Sequence, residues 1–430
     1  MKTLIQGGRV LCPASGLDQV ADVALADGQV LAVGQVPSGF TPDQQFNASG
    51  AWVLPGLIDL CARLREPGQE HEGMLESELA AAVGGGVTHL VCPPDTDPVL
   101  DEPGLVDMLR FRAAQLRLAH VHPQGALTRG LQGQALTEMA ELSESGCVGF
   151  GQAEHALRDT LVLQRAMQYA ATYGFTVWLR AQDAWLGGGV AASGPLATRM
   201  GLSGVPVVAE VIALHTITEL MRVTGARVHV CRLSSAAGVE LVRQAKAQGL
   251  PLTCDISVHN LHLCDHDLGY FDSRAHLQPP LRQASDRETL ANALANGTVD
   301  ALVSDHNPLD ANAKHLPFAE SEPGATAIEL LLPLAVKWAQ AHNVPLTHAL
   351  ARVTTGPAAV LGGTLPALAG SLQPGAPAHV CVCRPSQQAT VVGAHLRSQG
   401  KFTPFEGAAL PVQVVATWVD GHLAFDGTQH

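Results

Sequence analysis

Residues 55–68 read PGLIDLCARLREPG. Leu57 to Leu60 is a short, mainly apolar run that follows a Pro-Gly turn signal, the pattern of a buried strand. It feeds a loop that carries Cys61, Arg63 and Arg65. Residues at the end of such a strand often carry chemistry. Alternate positions of an extended chain point the same way, so a thiol and two guanidiniums are presented together.

The run is the first of eight. The others are VTHLVCPP, LAHVHPQG, GCVGFG, FTVWLRAQD, RVHVCRLSS, LPLTCDISVHN and DALVSDHNP. Between them lie stretches such as MLESELAAAVGGG, TLVLQRAMQYAATYG and AAGVELVRQAKAQG. Their apolar residues recur at helical spacing and Gly ends each one. Eight units over roughly 310 residues is the arithmetic of a (β/α)8 TIM barrel, whose chemistry sits at the C-terminal strand ends. A doubly wound open sheet is the competing architecture, but no G-x-G-x-x-G follows the first strand.

Both ends of the chain are different. Residues 1–54 alternate β-like runs with Gly/Asp turns, and AHVCVCRP, ATVVG and VQVVATWVDGHLAF repeat that style near the C-terminus. The expectation is a discontinuous β-sandwich from 1–54 plus 366–430, flanking a barrel over 55–365.

Bulk properties narrow the function. The chain has 430 residues, 47 % of them hydrophobic, which is enough for one barrel and a smaller domain. A formal charge of −13 argues against a sequence-blind nucleic-acid binder and against anionic membranes. Nine Cys without a CxxC framework suit a reducing cytoplasm. Cys381 and Cys383 sit in a strand-like run and read as core. The N-terminus has no signal-peptide core, and no apolar run reaches a membrane span. A cytoplasmic protein is expected.

Several stretches resemble dihydroorotase of the long bacterial type, within the cyclic amidohydrolases. They are PGLIDLxxxLREPG, GALTRGLQGQALTEMAEL, SSAAGVELVRQAKAQGLPLTCD, PPLRQASDRETLANAL, VSDHNP, PFAESEPGATAIELLLPLA and SQGKFTPFEG. The resemblance implies the barrel and sandwich reached above, and a hydrolase that opens or closes a cyclic amide with one or two zinc ions.

The implied metal ligands are missing. Where the family ends strand 1 in His-x-His, this chain has Cys61 and Arg63. Where strand 4 supplies a carbamylated Lys or an Asp, it has Gln152 and Ala153, with Glu154 the nearest acid. The His positions after strands 5 and 6 hold Arg180 and Arg232. Only Asp305, after strand 8, keeps its type. Among implied substrate contacts, Arg65 survives, whereas Asp95, Gln278 and Leu309 depart from the family's Asn, Asn and His.

Zinc requires lone pairs from imidazole, thiolate or carboxylate. Arginine offers only N–H donors and stays protonated. At about 4 Å and an effective dielectric of 20, each like-charge contact costs roughly 4 kcal/mol, and more against a divalent ion. The expectation is no zinc, no activated water, and guanidiniums that pair with Asp305 and with Asp183 in place of the cation.

The remaining residues carry paired readings. Cys61 is either a nucleophile activated by its arginines or a packed thiol. His120-x-His122 is either a relocated metal pair or packing at the barrel mouth. His229 and His306 read as structural. His259 and His262 read as surface residues of a loop. The triple glycines at 84–86 and 187–189 read as turns rather than phosphate loops. Arg65 either binds a carboxylate or pairs with Glu66 or Asp95.

Two functions follow. One is a non-catalytic homologue that serves as a structural subunit of aspartate carbamoyltransferase in an oligomer. The other is a hydrolase with an atypical centre built on Asp305. A sensor that holds an anion without converting it is a third.

Overall fold

The computed structural model describes residues 1–385 and 389–428. Eight parallel strands form the barrel. They are Leu57–Asp59, Val87–Cys92, His120–Pro123 (continued at Gly125–Ala126), Phe150–Gly151, Thr176–Arg180, Arg227–Cys231, Leu252–Ser257 and Ala301–Val303. The ring closes where Ala62 bridges His306 and the Arg63 N–H donates to the His306 carbonyl at 2.9 Å. Buried Asp59 reinforces the closure by accepting from Ser304 N at 3.1 Å and Cys61 N at 3.2 Å. All eight sequence runs became strands.

A helix follows each strand, and local signals set its ends. Thr160–Tyr173 starts at Asp159, whose carboxylate accepts from Leu161 N and Val162 N, and stops at the left-handed Gly174. Ala236–Ala247 starts at Ser235, whose hydroxyl accepts from Gly238 N. The long excursions after strands 7 and 8 wall the barrel mouth with Gln278, Glu322 and Pro323. Among the described residues, no helix is long and apolar enough to cross a membrane.

The two chain ends share one eight-stranded sheet. Its seam is Trp52–Pro55 running antiparallel to Val380–Pro385, with Val53 opposite Val382. Strand periodicity divides Val380–Pro385 between two cores. Val380 and Val382 pack with Ile5, Val23 and Trp418. Cys381 and Cys383 face the barrel cluster, so both are core thiols. Each buried Val contributes roughly 1.5–3 kcal/mol, and the shared strand joins the two bodies. The 84–86 glycines are a close-packed turn: a Cβ on Gly86, at φ +84°, would lie 2.5 Å from Cys381 Sγ.

Candidate functional site

The strand ends deliver Arg63, Arg180 and Arg232 into one pocket, where their side chains are 6 %, 5 % and 3 % exposed. They do not point at solvent. They converge on Glu154, in the turn after strand 4. Glu154 Oε1 lies 2.9 Å from Arg63 Nη2 and 2.5 Å from Arg232 Nη1, and Oε2 lies 2.6 Å from Arg180 Nε. Arg63 Nε also donates to Asp95 at 2.9 Å. Arg232 Nη1 reaches Asp305 Oδ1 at 3.1 Å and the Gln278 carbonyl at 3.2 Å. Three guanidiniums thus face Glu154, Asp95 and Asp305.

Backbone geometry aims these groups. Arg232 and Asp305 have φ of 52° and Ala153, just before Glu154, has φ of 47°. Left-handed backbone is costly for residues with a Cβ, and such positions cluster where a side chain must be turned into a site. The Arg232 turn is pinned from below. Asp255 accepts from Arg232 N at 2.6 Å and from His229 Nε2 at 2.8 Å. His229 is fully buried, so its structural reading stands.

Burial opposes charge on Glu154, but the three guanidiniums overcome it and hold its carboxyl down to about 2. At Asp305 burial wins. Its carboxyl is raised to about 6, despite Arg232 and Arg63 pulling it down. Cys61 Sγ lies 3.8 Å from Asp305 Oδ1. Burial raises its thiol well above the ordinary value although Arg232 lowers it, so the arginines do not make a thiolate.

Several expectations are corrected. Asp183 does not pair with the arginines; its carboxylate accepts from Trp185 N and Leu186 N. Glu154 takes its place. Arg65 pairs with neither Glu66 nor Asp95. Its Nε lies 2.9 Å from Glu72, and Nη1 donates to Gln69 at 2.6 Å. Glu66 instead accepts from Leu75 N at 2.9 Å.

His259 and His262 lie on the short helix Val258–His262, not in a surface loop. His259 is 1 % exposed, and its Nδ1 comes within 3.9 Å of Asp305 Oδ2. His262 Nε2 donates to the Leu334 carbonyl at 2.9 Å. His120 and His122 sit on the strand leading away from the sandwich, at the barrel floor rather than the mouth. His306 is buried against Glu78, 2.8 Å away, as expected.

Gln152 turns from the arginines and donates to the Leu131 carbonyl at 2.8 Å. Leu309 is buried. Arg63, Arg65, Asp95, Glu154, Arg232 and Asp305 line what remains of the mouth, a cavity of about 160 Å³.

This donor set does not fit a divalent cation. Both oxygens of Glu154 lie in ion-pair contact with guanidiniums, although the Oε2–Arg180 Nε approach is not aligned as a hydrogen bond. Asp305 holds one oxygen to Arg232, Cys61 keeps its proton, and among the described residues no group of three ligand side chains gathers at the mouth. Fixed positive charge fills the space that a cation would need.

Comparison with known proteins gives the following. A family model described as dihydro-orotase-like matches residues 50–237. A dihydroorotase-like protein of Pseudomonas aeruginosa is 44% identical over 99% of this chain and 100% of its own length. A dihydroorotase of Geobacter sp. (strain M21) is 36% identical over 99% of each chain. Among solved structures, L-hydantoinase from Arthrobacter aurescens superposes with a TM-score of 0.88 at 22% identity, covering 99% of this chain and 96% of its own.

Proposed function

Since the chain belongs to the dihydroorotase-like family, we propose that it is a member whose hydrolytic centre has been replaced by an ion-pair network, and that it serves as a structural subunit of aspartate carbamoyltransferase. The observation that carries this reading is the convergence of Arg63, Arg180 and Arg232 on Glu154. Family chemistry needs a metal to acidify a bound water. Here lone-pair donors are replaced by donors of hydrogen bonds. The remaining titratable groups do not form a relay: Cys61 is protonated, Asp305 is tied to Arg232, and burial holds His259 neutral, down to about 3.

A kept scaffold with a neutralised pocket suits a subunit selected for its surface. The arginine network balances charge, so the mouth stays packed without a ligand.

One observation favours a second reading. A carboxyl at about 6 lies near the operating range of a general base, so Asp305 fits a hydrolase with an atypical centre.

Two measurements separate them. The protein, purified without a histidine tag, is assayed for dihydroorotate turnover with and without zinc. It is also co-expressed with the host's aspartate carbamoyltransferase and sized. The subunit reading expects no turnover and comigration. Zinc-dependent turnover, turnover abolished by Asp305→Asn, or failure to comigrate overturns it.

A further inference from the structure

The barrel floor carries a second cluster of ionisable groups, remote from the mouth. His120 starts barrel strand 3, His379 precedes the strand Val380–Pro385, and Asp420 sits in the turn between Val412–Val419 and His422–Asp426. His120 Nε2 lies 2.9 Å from Asp420 Oδ2, and His379 Nε2 lies 3.6 Å from Asp420 Oδ1. The three ligand atoms all fall within 4.8 Å of one another.

We propose that His120, His379 and Asp420 form a transition-metal site that joins the barrel floor to the sandwich sheet, with zinc as the ion that fits best.

The geometry is that of a ligand set around an open centre. Zinc–nitrogen and zinc–oxygen bonds of about 2.0–2.1 Å put tetrahedral ligands roughly 3.4 Å apart. The contacts of His120 and His379 with Asp420, 2.9 Å and 3.6 Å to its two different oxygens, lie on either side of that value, and the shorter is a hydrogen bond that an ion would replace. Two imidazoles and a carboxylate, with a fourth position left to water, is a recurrent zinc set. His120 and Asp420 line a cavity of about 710 Å³ together with His122 and His422. An ion can therefore enter from solvent.

The surroundings point the same way. His89 stands beside His120 in the sheet register, stacked at 5.0 Å, and edge-on to His379 at 4.5 Å. Its Nδ1 is 2.9 Å from His122 Nε2. Its Nε2 is buried without a hydrogen-bond partner among the described residues, in a side chain 97 % removed from solvent, at 3 % exposure. Two imidazoles, His120 and His379, meet the Asp420 carboxylate, and the ring packed against both of them, His89, keeps one buried nitrogen whose hydrogen-bonding capacity the described residues do not use.

The other three-residue cluster, His229, Cys231 and Asp255, is different. Both nitrogens of His229 are taken, by Thr253 and Asp255 at 2.8 Å each, and Asp255 also holds Arg232 N. His229 and Asp255 are also fully buried, whereas His120 and Asp420 are half-exposed and open to an incoming ion.

Ion binding has a stated local cost. Asp420 N–H donates to His379 Nδ1 at 3.3 Å, which places the His379 proton on Nε2. Coordination moves that proton to Nδ1 and gives up this long hydrogen bond.

The test uses tag-free full-length protein stripped with a chelator and titrated with Co²⁺, then Zn²⁺. One Co²⁺ per chain is expected, with the visible absorption of a four-coordinate nitrogen–oxygen site that Zn²⁺ bleaches. The signal is lost in His120→Gln and in Asp420→Asn, whose side chains are half-exposed, and is kept in Asp305→Asn at the mouth. Circular dichroism verifies that the variants are folded. Zinc-edge anomalous density from a soaked crystal, expected between His120, His379 and Asp420, gives a reading independent of any variant. No stoichiometric Co²⁺, binding that survives both floor substitutions, or density elsewhere overturns the proposal.

Discussion

Arg232 and Glu154 meet at 2.5 Å, Nη1 to Oε1, with the guanidinium 3 % and the carboxylate 23 % exposed. That contact is the centre of the mouth. Arg63 and Arg180 lean on the same carboxylate, so its removal leaves buried Arg180 without an ion pair and Arg63 and Arg232 with only Asp95 and Asp305.

Glu154→Gln keeps shape and removes charge. Breaking a buried ion pair by deleting one partner costs about 3–5 kcal/mol, because the other charge is left uncompensated. A loss of at least about 3 kcal/mol is expected in urea unfolding at pH 7. A loss below about 1 kcal/mol, the range of an exposed pair, would contradict the network.

Asp305 gives the pH dependence a defined sign. Its carboxyl is raised from 3.8 to about 6 by burial, so the folded state binds a proton that the unfolded chain has released. Stability from this group is full below its unfolded pKa and falls as pH rises from about 4 to about 6, by about 3 kcal/mol. Asp59, raised to about 7 by burial, pulls in the same direction. The difference between wild type and Asp305→Asn therefore isolates the effect: the variant should lose much of the decline over that window. Parallel curves would refute the assignment.

The barrel was legible because each strand is a bounded apolar run and Gly ends the helices. The arginine substitutions were legible because they fall at strand ends. Glu154 was visible only as the nearest acid. Recognising it as the hub requires knowing that Ala153 turns left-handed and carries the next residue inward, which no hydrophobic pattern encodes. The partner of Arg65 is hidden in the sequence for a related reason. The turn after it brings Glu72, seven residues on, back to the guanidinium. The helix that carries His259 is not legible because five residues are too few to display its period. His120 lies at the floor and not at the mouth because strand 3 begins with it and runs on through Gly125–Ala126.

Restoring the strand-1 imidazoles should not restore a metal centre. Cys61→His with Arg63→His supplies two lone pairs, but Arg180 and Arg232 remain within contact of Glu154. The double variant should show no zinc that depends on the new residues, by metal analysis at matched protein concentration. Adding Arg180→His and Arg232→His frees the carboxylate and removes the opposing charge. Zinc is expected at the mouth only in that background. Stoichiometric zinc in the double variant, lost again on Asp305→Asn, would mean that the guanidiniums do not exclude the ion.

Ala153 stores removable strain. It holds φ of 47° with a Cβ, a conformation that costs roughly 1–2 kcal/mol in an L-residue and almost nothing in glycine. Glycine gives back part of that gain through the greater freedom of its unfolded chain. Ala153→Gly should therefore raise stability by about 0.5–1 kcal/mol in urea unfolding while leaving Glu154 among its arginines. Because Glu154 follows directly, the substitution also tests whether the turn or the ion pairs fix its position. Unchanged slope with a higher midpoint means that the ion pairs hold the carboxylate in place. Destabilisation of similar size means that the alanine methyl, or the rigidity it lends the turn, contributes more than the strain removes.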